Sequence, residues 1–254
     1  MNGVSTGTTN PLSTKSSFLM GKYAKIPNFM TKQEYSTNCP LCTHDAMAFH
    51  QDRTRDYLRC PICDLVFVPE HQHLSLTEEK SRYDFHQNDP GDSRYRKFLS
   101  RLFQPVENQL DEGAHGLDFG CGPGPTLSVM FEEAGYKCAI YDLHYANDPS
   151  VFDQTYDFLT CSETMEHLYD PRKEFERFVS LVKPGGWIGI MTQLHDEAPV
   201  PFERWHYKDD DTHVCFFSKK TFQWLETSTA ASGKPYDLRV EFHPGGVVLF
   251  QIDR

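Results

Sequence analysis

The sequence predicts an α/β fold with a mostly parallel sheet, preceded by a small metal-binding module and a helical connector. Three observations indicate this fold. Two CxxC pairs stand near the start of the chain, a glycine-rich turn separates an apolar strand from a helical pattern at residues 116–134, and strand-length apolar runs recur near residues 186–192 and 246–252. The length of 254 residues suits one ordinary domain with a small appendage.

Composition argues against several classes of protein. The 25 lysines and arginines against 36 aspartates and glutamates give a formal net charge of −11, the wrong sign for holding nucleic acid by its phosphates. No apolar run approaches the ~20 residues of a membrane helix, so we expect a soluble protein without membrane contact. The eight cysteines, in a chain of this length and without a recognisable signal segment, favour the reducing cytoplasm over a disulfide framework.

The first motif consists of two CxxC pairs, Cys39/Cys42 and Cys60/Cys63, separated by seventeen residues. Each tight turn presents two thiolates and a hairpin brings the turns together, so the spacing predicts a zinc ribbon with four cysteine ligands. Such a closed site is structural, and its binding energy stabilises a module too small to fold alone. Two disulfides or four buried free thiols are the alternatives. The ribbon has four basic and six acidic residues, which is not typical of a nucleic-acid clamp.

A helical connector follows the ribbon. Apolar side chains at positions 95, 98, 99, 102, 103 and 106 follow the period of an amphipathic helix, which we expect to pack on the main sheet and to cover its pocket. The basic side chains of this helix are predicted to face solvent. We therefore expect four segments: a disordered tail or leader at residues 1–30, the zinc ribbon at 31–70, the connector and pocket lid at 71–112, and the main domain at 113–254.

The glycine-rich turn of the main domain points to a bound nucleoside. A short apolar strand leads into Gly120, Gly122 and Gly124, and glycines at such a turn let the backbone approach a ligand closely. A second strand ends at Asp142, about twenty residues after the turn, which is the spacing at which a carboxylate holds a ribose diol. The turn differs from a dinucleotide fingerprint, because Asp118 precedes the first glycine and the turn is GCGPG rather than GxGxxG.

This turn resembles the S-adenosylmethionine (SAM) motif of the class I methyltransferases. Residues 156–161 resemble the fourth strand of that family, residues 162–171 its following loop and helix, and residues 181–186 the turn before its fifth strand at 187–192. With its CxxC pairs, the chain resembles a bacterial group of methyltransferase-domain proteins with an N-terminal zinc-ribbon-like segment. The resemblance implies a Rossmann-like, mostly parallel sheet whose last strand is antiparallel, with residues 240–242 and 247–252 as the last antiparallel pair.

The same resemblance implies the cofactor site. Asp118 and the glycine turn would line the methionine and ribose side of SAM, Asp142 would hold the ribose hydroxyls, and residues 160–163 would pass close to the cofactor. Residues 147–153 match no motif, so the adenine contact stays open. The implied cofactor residues are Asp118, Gly120, Cys121, Gly122, Gly124, Asp142, Thr160, Cys161, Ser162 and Glu163.

The acceptor pocket is predicted in the aromatic and histidine-rich residues 202–218, which follow the fifth strand. His213 is the predicted general base, and His206 and Tyr207 are predicted to line the pocket. Alternatively, these histidines hydrogen-bond to loop backbone, or bind a metal, although the spacing of His206 and His213 matches no recognised metal geometry. His167 and Asp170 are expected to cap and anchor the helix after the fourth strand.

The resulting hypothesis is a SAM-dependent methyltransferase that acts on a small molecule and carries one structural zinc ion. Two alternatives remain open. The first is a ribosomal- or transfer-RNA methyltransferase, because the order of a zinc ribbon followed by this fold also resembles the architecture of an rRNA guanine methyltransferase. The second is a non-catalytic module that binds SAM. The net charge of −11 argues against the RNA alternative. The sequence leaves the acceptor and the oligomeric state open.

Overall fold

Strands and helices alternate through most of the chain. The computed structural model describes residues 38–84, 89–231 and 237–253, so the predicted tail at residues 1–30 lies outside the described residues. The strands are β1 (Met47–Gln51), β2 (Asp56–Arg59), β3 (Val66–Phe67), β4 (His115–Phe119), β5 (Lys137–Tyr141), β6 (Tyr156–Ser162), β7 (Val182–Met191), β8 (Cys215–Phe216), β9 (Asp237–His243) and β10 (Val247–Asp253). The α-helices are α1 (Leu76–Tyr83), α2 (Ser93–Glu107), α3 (Thr126–Glu133), α4 (Pro171–Leu181) and α5 (Lys219–Ala231).

The larger sheet has six strands in the order β5-β4-β6-β7-β10-β9. The first four are mutually parallel, and β10 runs antiparallel to both β7 and β9. This arrangement confirms the predicted mostly parallel α/β sheet with an antiparallel final strand. Residues Pro149–Asp153, where a third strand would fall, form a 3-10 helix instead, which accounts for the missing strand motif there. Within the described residues, no helix has both the length and the apolar content needed to cross a bilayer.

The smaller sheet joins the ribbon to the main domain. Its order is β1-β2-β3-β8, all antiparallel, and its fourth strand comes from the segment after β7 of the main sheet. Hydrogen bonds also connect the parts: for example, Val68 N donates to Val214 O at 2.9 Å, and Ser218 Oγ donates to the Asp64 carboxylate at 2.9 Å. The ribbon is therefore built into the domain, a connection that the spacing of its cysteines does not reveal.

The connector helix α2 packs on the main sheet as its pattern predicts. Leu99, Leu102 and Val106 are buried, and the absence of a side chain at Gly189 in β7 makes room for the last two. A Cβ at Gly189 would lie 2.5 Å from Val106 Cγ2, so any larger residue would push the helix away from the sheet.

Candidate functional site

A cleft of about 730 Å³ opens at the carboxyl ends of β4, β5 and β6. Ligands of open α/β sheets bind at this edge, and the volume lies in the range of small-molecule sites, ~300–1,000 Å³. Helix α1 contributes Leu76, Glu79 and Tyr83 to the wall, and α2 contributes Tyr95 and Phe98. Both helices of the connector thus contribute side chains to the cleft wall.

The glycine turn forms one wall of the cleft. Gly120 and Gly122 have φ values of +77° and +65°, which favour glycine over residues with a side chain. A Cβ at Gly120 would also lie 2.2 Å from Thr164 Oγ1. Asp142 lines the cleft and accepts hydrogen bonds from the backbone of Gly122 at 3.0 Å and His144 at 2.8 Å. This carboxylate is therefore fixed in place beside the turn.

The implied cofactor residues fall into two groups. Cys121, Ser162 and Glu163 line the cleft with Gly120, Gly122 and Asp142. Asp118 is buried behind the turn, where Thr160 Oγ1 donates to its carboxylate at 2.8 Å, and burial raises the pKa of Asp118 to about 7. The residues implied by the resemblance that do not line the cleft are Asp118, Gly124, Thr160 and Cys161.

Another part of the cleft wall carries a cluster that we call the cleft cluster, formed by Glu166, His167 and His213. One ligating atom from each lies within 4.8 Å of the others. The first two follow β6 in the 3-10 turn Met165–His167, and His213 precedes β8. A hydrogen bond of 2.8 Å from Val214 N to Glu166 O holds the two segments together.

The rings of Tyr207 and His213 complete this wall. The Tyr207 hydroxyl donates a short hydrogen bond to Glu166 Oε1, and the Tyr207 ring lies 4.2 Å from that of His213. His213 Nδ1 is 2.7 Å from Tyr207 O; since a carbonyl only accepts, Nδ1 carries the proton. Burial lowers the pKa of His213, which favours the neutral ring.

Glu163 also lines the cleft and lies in the chain between the end of β6 and the cleft cluster. It has a positive φ of 46°, unusual for a residue other than glycine, and its backbone N–H donates to Met191 O at 2.7 Å. Burial, together with the nearby Glu166 carboxylate, raises the pKa of Glu163 to about 8. The cleft therefore holds two close carboxyl groups in a site with limited access to water.

The predicted acceptor residues are only partly brought together. Tyr207 and His213 line the cleft, whereas His206 is exposed and does not line it. Asp170 caps α4 as expected, accepting from Lys173 N at 3.1 Å. His167 does not serve that helix: its Nδ1 lies 3.1 Å from Thr212 O and its ring faces His213. Sequence reasoning missed Glu166, although the adjacent Glu-His pair directly after a strand was a usable signal.

The four ribbon cysteines meet as their spacing predicts. All are buried, and their Sγ atoms lie within 4.8 Å of one another. The Cys39–Cys63 and Cys42–Cys60 sulfur distances are 3.5 and 3.2 Å, too long for a disulfide bond of ~2.05 Å. Both turns close alike, with Thr43 N donating to Cys39 O and Asp64 N to Cys60 O. Four converging thiols fit a tetrahedral zinc ion.

Comparisons with known proteins agree with this picture. The family model described as "Methyltransferase domain" matches residues 86–227, more than half of the chain. The ubiquinone biosynthesis O-methyltransferase of Yersinia pestis (strain Pestoides F) is 34% identical over 89 residues, which are 34% of this chain and 37% of that protein. The corresponding protein of Yersinia pseudotuberculosis serotype O:1b (strain IP 31758) gives the same values. The matched region thus spans little more than a third of these curated relatives.

Solved structures are also similar. The plantazolicin methyltransferase BpumL in complex with SAH is 13% identical, with a TM-score of 0.46 over 70% of this chain and 90% of that one. DesVI of Streptomyces venezuelae is 12% identical, with a TM-score of 0.44 over 70% of this chain and 99% of that one. At this level of similarity, neither structure bears on the substrate of this chain.

Proposed function

The chain belongs to the methyltransferase domain family, and from this premise we propose that it transfers the methyl group of SAM to a small-molecule acceptor in the cleft. One observation carries the proposal: the glycine turn and Asp142 lie together on a cleft at the carboxyl ends of the parallel strands. Seven carboxylates line this cleft against one lysine and one arginine, and that negative charge suits the positively charged sulfonium of SAM.

The chain's own residues would hold the cofactor as follows. The backbone of Gly120 and Gly122 would lie against its methionine and ribose side, and Asp142 would accept a hydrogen bond from a ribose hydroxyl. Asp142 already accepts three backbone N–H groups, but a carboxylate has about four lone-pair sites, so a hydroxyl can still bind there. Asp118 and Thr160 would support the turn from behind.

When bound, SAM supplies an electrophilic methyl group: the acceptor's lone pair forms the new bond while the sulfur leaves with its electron pair. The protein's task is to align the acceptor and exclude water. Tyr207 and His213 line the same cleft as the glycine turn, and we place the acceptor against them. Coverage of the cleft by α1 and α2 and the net charge of −11 favour a small acceptor over a polynucleotide.

Zinc and location belong to the same proposal. The four ribbon cysteines would hold one structural zinc ion, closed to substrate because all four are at most 4% exposed. We place the protein in the cytoplasm, where a reducing environment suits its eight free thiols.

Calorimetric titration of the zinc-loaded full chain with SAM, and with its demethylated product SAH, tests the cofactor site. Both should bind, and Asp142→Ala should weaken them by roughly tenfold to a hundredfold, the effect of about 1.4–2.8 kcal/mol of lost hydrogen bonding. Asp153→Ala is the matched control, because this nearby aspartate is exposed and does not line the cleft. Absence of binding by folded protein, or full affinity in Asp142→Ala, would overturn the assignment.

A further inference from the structure

We propose that the cleft cluster, Glu166, His167 and His213, is a second metal site that binds one divalent cation facing the acceptor. The evidence for cation binding comes from these three residues alone. The role of the ion in catalysis depends on the proposed methyl transfer. The three ligating atoms lie within 4.8 Å of one another, close enough for one ion to reach all three. Two imidazoles and one carboxylate are a ligand set that proteins use for zinc, iron and manganese.

The imidazoles are oriented as metal ligands are. A metal-bound histidine usually donates its other ring N–H to a backbone carbonyl or a carboxylate, which fixes the tautomer and aims the free nitrogen. His213 Nδ1 is 2.7 Å from Tyr207 O, and His167 Nδ1 is 3.1 Å from Thr212 O. Both rings therefore keep an unprotonated Nε2 available, and both carbonyls belong to the one segment between β7 and β8.

The carboxylate supplies the second, independent observation. Glu166 is fully buried, and its Oε1 accepts from Tyr207, but its Oε2 is buried without a hydrogen-bond partner. Buried charged oxygens are rarely left in this state, because desolvation is costly without compensation. In the described residues, no lysine or arginine pairs with Glu166. A cation bound at Oε2 would compensate it.

Neighbouring carboxyl groups also favour a cation. Glu163 is a second buried carboxyl group beside Glu166, and Asp210 Oδ2 lies 3.8 Å from His213 Nε2. Lys208, the lysine nearest to His213 in the sequence, forms ion pairs with Asp52 and Asp209 and not with the cleft cluster. Three protein ligands on a cleft wall leave room for further ligands, as in catalytic rather than structural sites.

The coordination positions of the ion that the protein leaves unfilled suggest the chemical class of the acceptor. An ion held here would bind an acceptor that presents an oxygen, lower the pKa of its hydroxyl group and hold it toward the methyl donor. The hydroxyl proton passes to solvent, and the oxygen lone pair then forms the bond to the methyl carbon as sulfur leaves. In this account His213 acts as a ligand, which differs from the general base predicted from its position in the sequence.

Manganese titration separates this site from the ribbon, because Mn²⁺ prefers oxygen and nitrogen and competes poorly with zinc for thiolates. The full chain, prepared with a single zinc ion per chain so that only the ribbon cysteines are filled, is titrated with Mn²⁺ and followed by electron paramagnetic resonance. We expect one Mn²⁺ per chain, at least about a hundredfold weaker binding in His213→Ala and in Glu166→Gln, and unchanged binding in His206→Ala. His167→Gln tests the same site at a half-buried position if a buried variant fails to fold.

The outcomes distinguish this inference from the proposed function. No stoichiometric Mn²⁺ in protein that binds SAH would refute the metal site and leave the cofactor assignment intact. One Mn²⁺ per chain without any SAH binding would support the site and refute the methyltransferase proposal. Mn²⁺ binding that survives in all three ligand variants would place the ion elsewhere and overturn the inference.

Discussion

The ribbon cysteines and the cleft cluster are both sets of converging ligand side chains, yet they differ in access. The four thiols are buried on two matching turns, with no side left for a substrate. Glu166, His167 and His213 come from two segments and line the cleft. The access of solvent and substrate to a metal site distinguishes the two roles. A fully enclosed ligand set stabilises the fold, whereas a ligand set that lines a cleft can also bind a substrate.

The two clusters are also connected. Arg55, buried in the ribbon, donates from Nη1 to His213 O at 2.9 Å and from Nη2 to Asp210 O at 2.9 Å, with a further bond to Lys208 O. Strand β3 pairs with β8 directly after His213. The ribbon therefore supports residues 206–214, which we call the acceptor loop. Through these contacts a structural module helps to hold part of the cleft wall in place.

The largest expected effect comes from removing the zinc site formed by the four ribbon cysteines. Cys60→Ser combined with Cys63→Ser should abolish zinc and unfold the ribbon, because structural zinc contributes about 10–16 kcal/mol of apparent binding free energy. Elemental analysis and thermal unfolding measure both changes. SAH affinity should change much less, since the glycine turn lies on the main sheet. Unchanged zinc content in the double variant would show that the ion is not held by these cysteines.

Within the acceptor loop, His213 and His206 should behave differently. His213→Ala should lower turnover by ~10²–10⁴ with SAM affinity nearly constant, because the variant loses a ligand of the ion that holds the acceptor, whereas the glycine turn and Asp142 hold the cofactor. His206→Ala should change turnover less than about threefold, since this residue is exposed and outside the cleft lining. Steady-state kinetics with the acceptor would decide; equal losses in both variants would contradict the placement of the cleft wall.

Asp118 provides a contrast to both clusters, as a buried acid without a cation. Its pKa of about 7 in the folded protein exceeds the unfolded value of ~3.9, so its stabilising contribution is complete below about pH 4 and is lost as pH rises to about 7. The loss amounts to roughly 4 kcal/mol. Asp118→Asn keeps an acceptor for Thr160, so its stability should fall less across this range. Urea unfolding from pH 4 to 8 tests this; parallel curves for both proteins would refute it.

The smallest effect concerns the link between the clusters. Arg55→Ala should lower the unfolding free energy by about 2–3 kcal/mol, because buried carbonyls lose a charged donor. Amide hydrogen exchange should rise in residues 206–214, and SAH binding should persist. Arg53→Ala, an exposed neighbour, is the control. Unchanged exchange in Arg55→Ala would mean that the ribbon does not order the acceptor loop.

Features set by local spacing could be predicted from the sequence. The CxxC pairs, the α2 pattern and the glycine turn before Asp142 each depend on residues close in the chain, and the structure has each of them. The mostly parallel sheet with a final antiparallel pair followed from the family resemblance.

Features set by tertiary contact could not be predicted. Position in the chain suggested His206 beside His213, but the backbone of residues 206–209 turns in a 3-10 helix that leaves His206 in solvent and buries Tyr207. Glu166 and His213 are far apart in sequence and meet because Val214 N bonds to Glu166 O. Pairing of Arg55 with the loop likewise arises only when the ribbon is folded against the domain.

Methyl transfer itself tests the central claim most directly. Zinc-loaded full chain is incubated with SAM carrying an isotopically labelled methyl group and either a small-molecule metabolite extract or total RNA, and labelled products are identified by mass spectrometry. We expect label in a small molecule, loss of that signal in Asp142→Ala, and its retention in Asp153→Ala. Bound SAM without any transfer, or label found in RNA instead, would contradict the account.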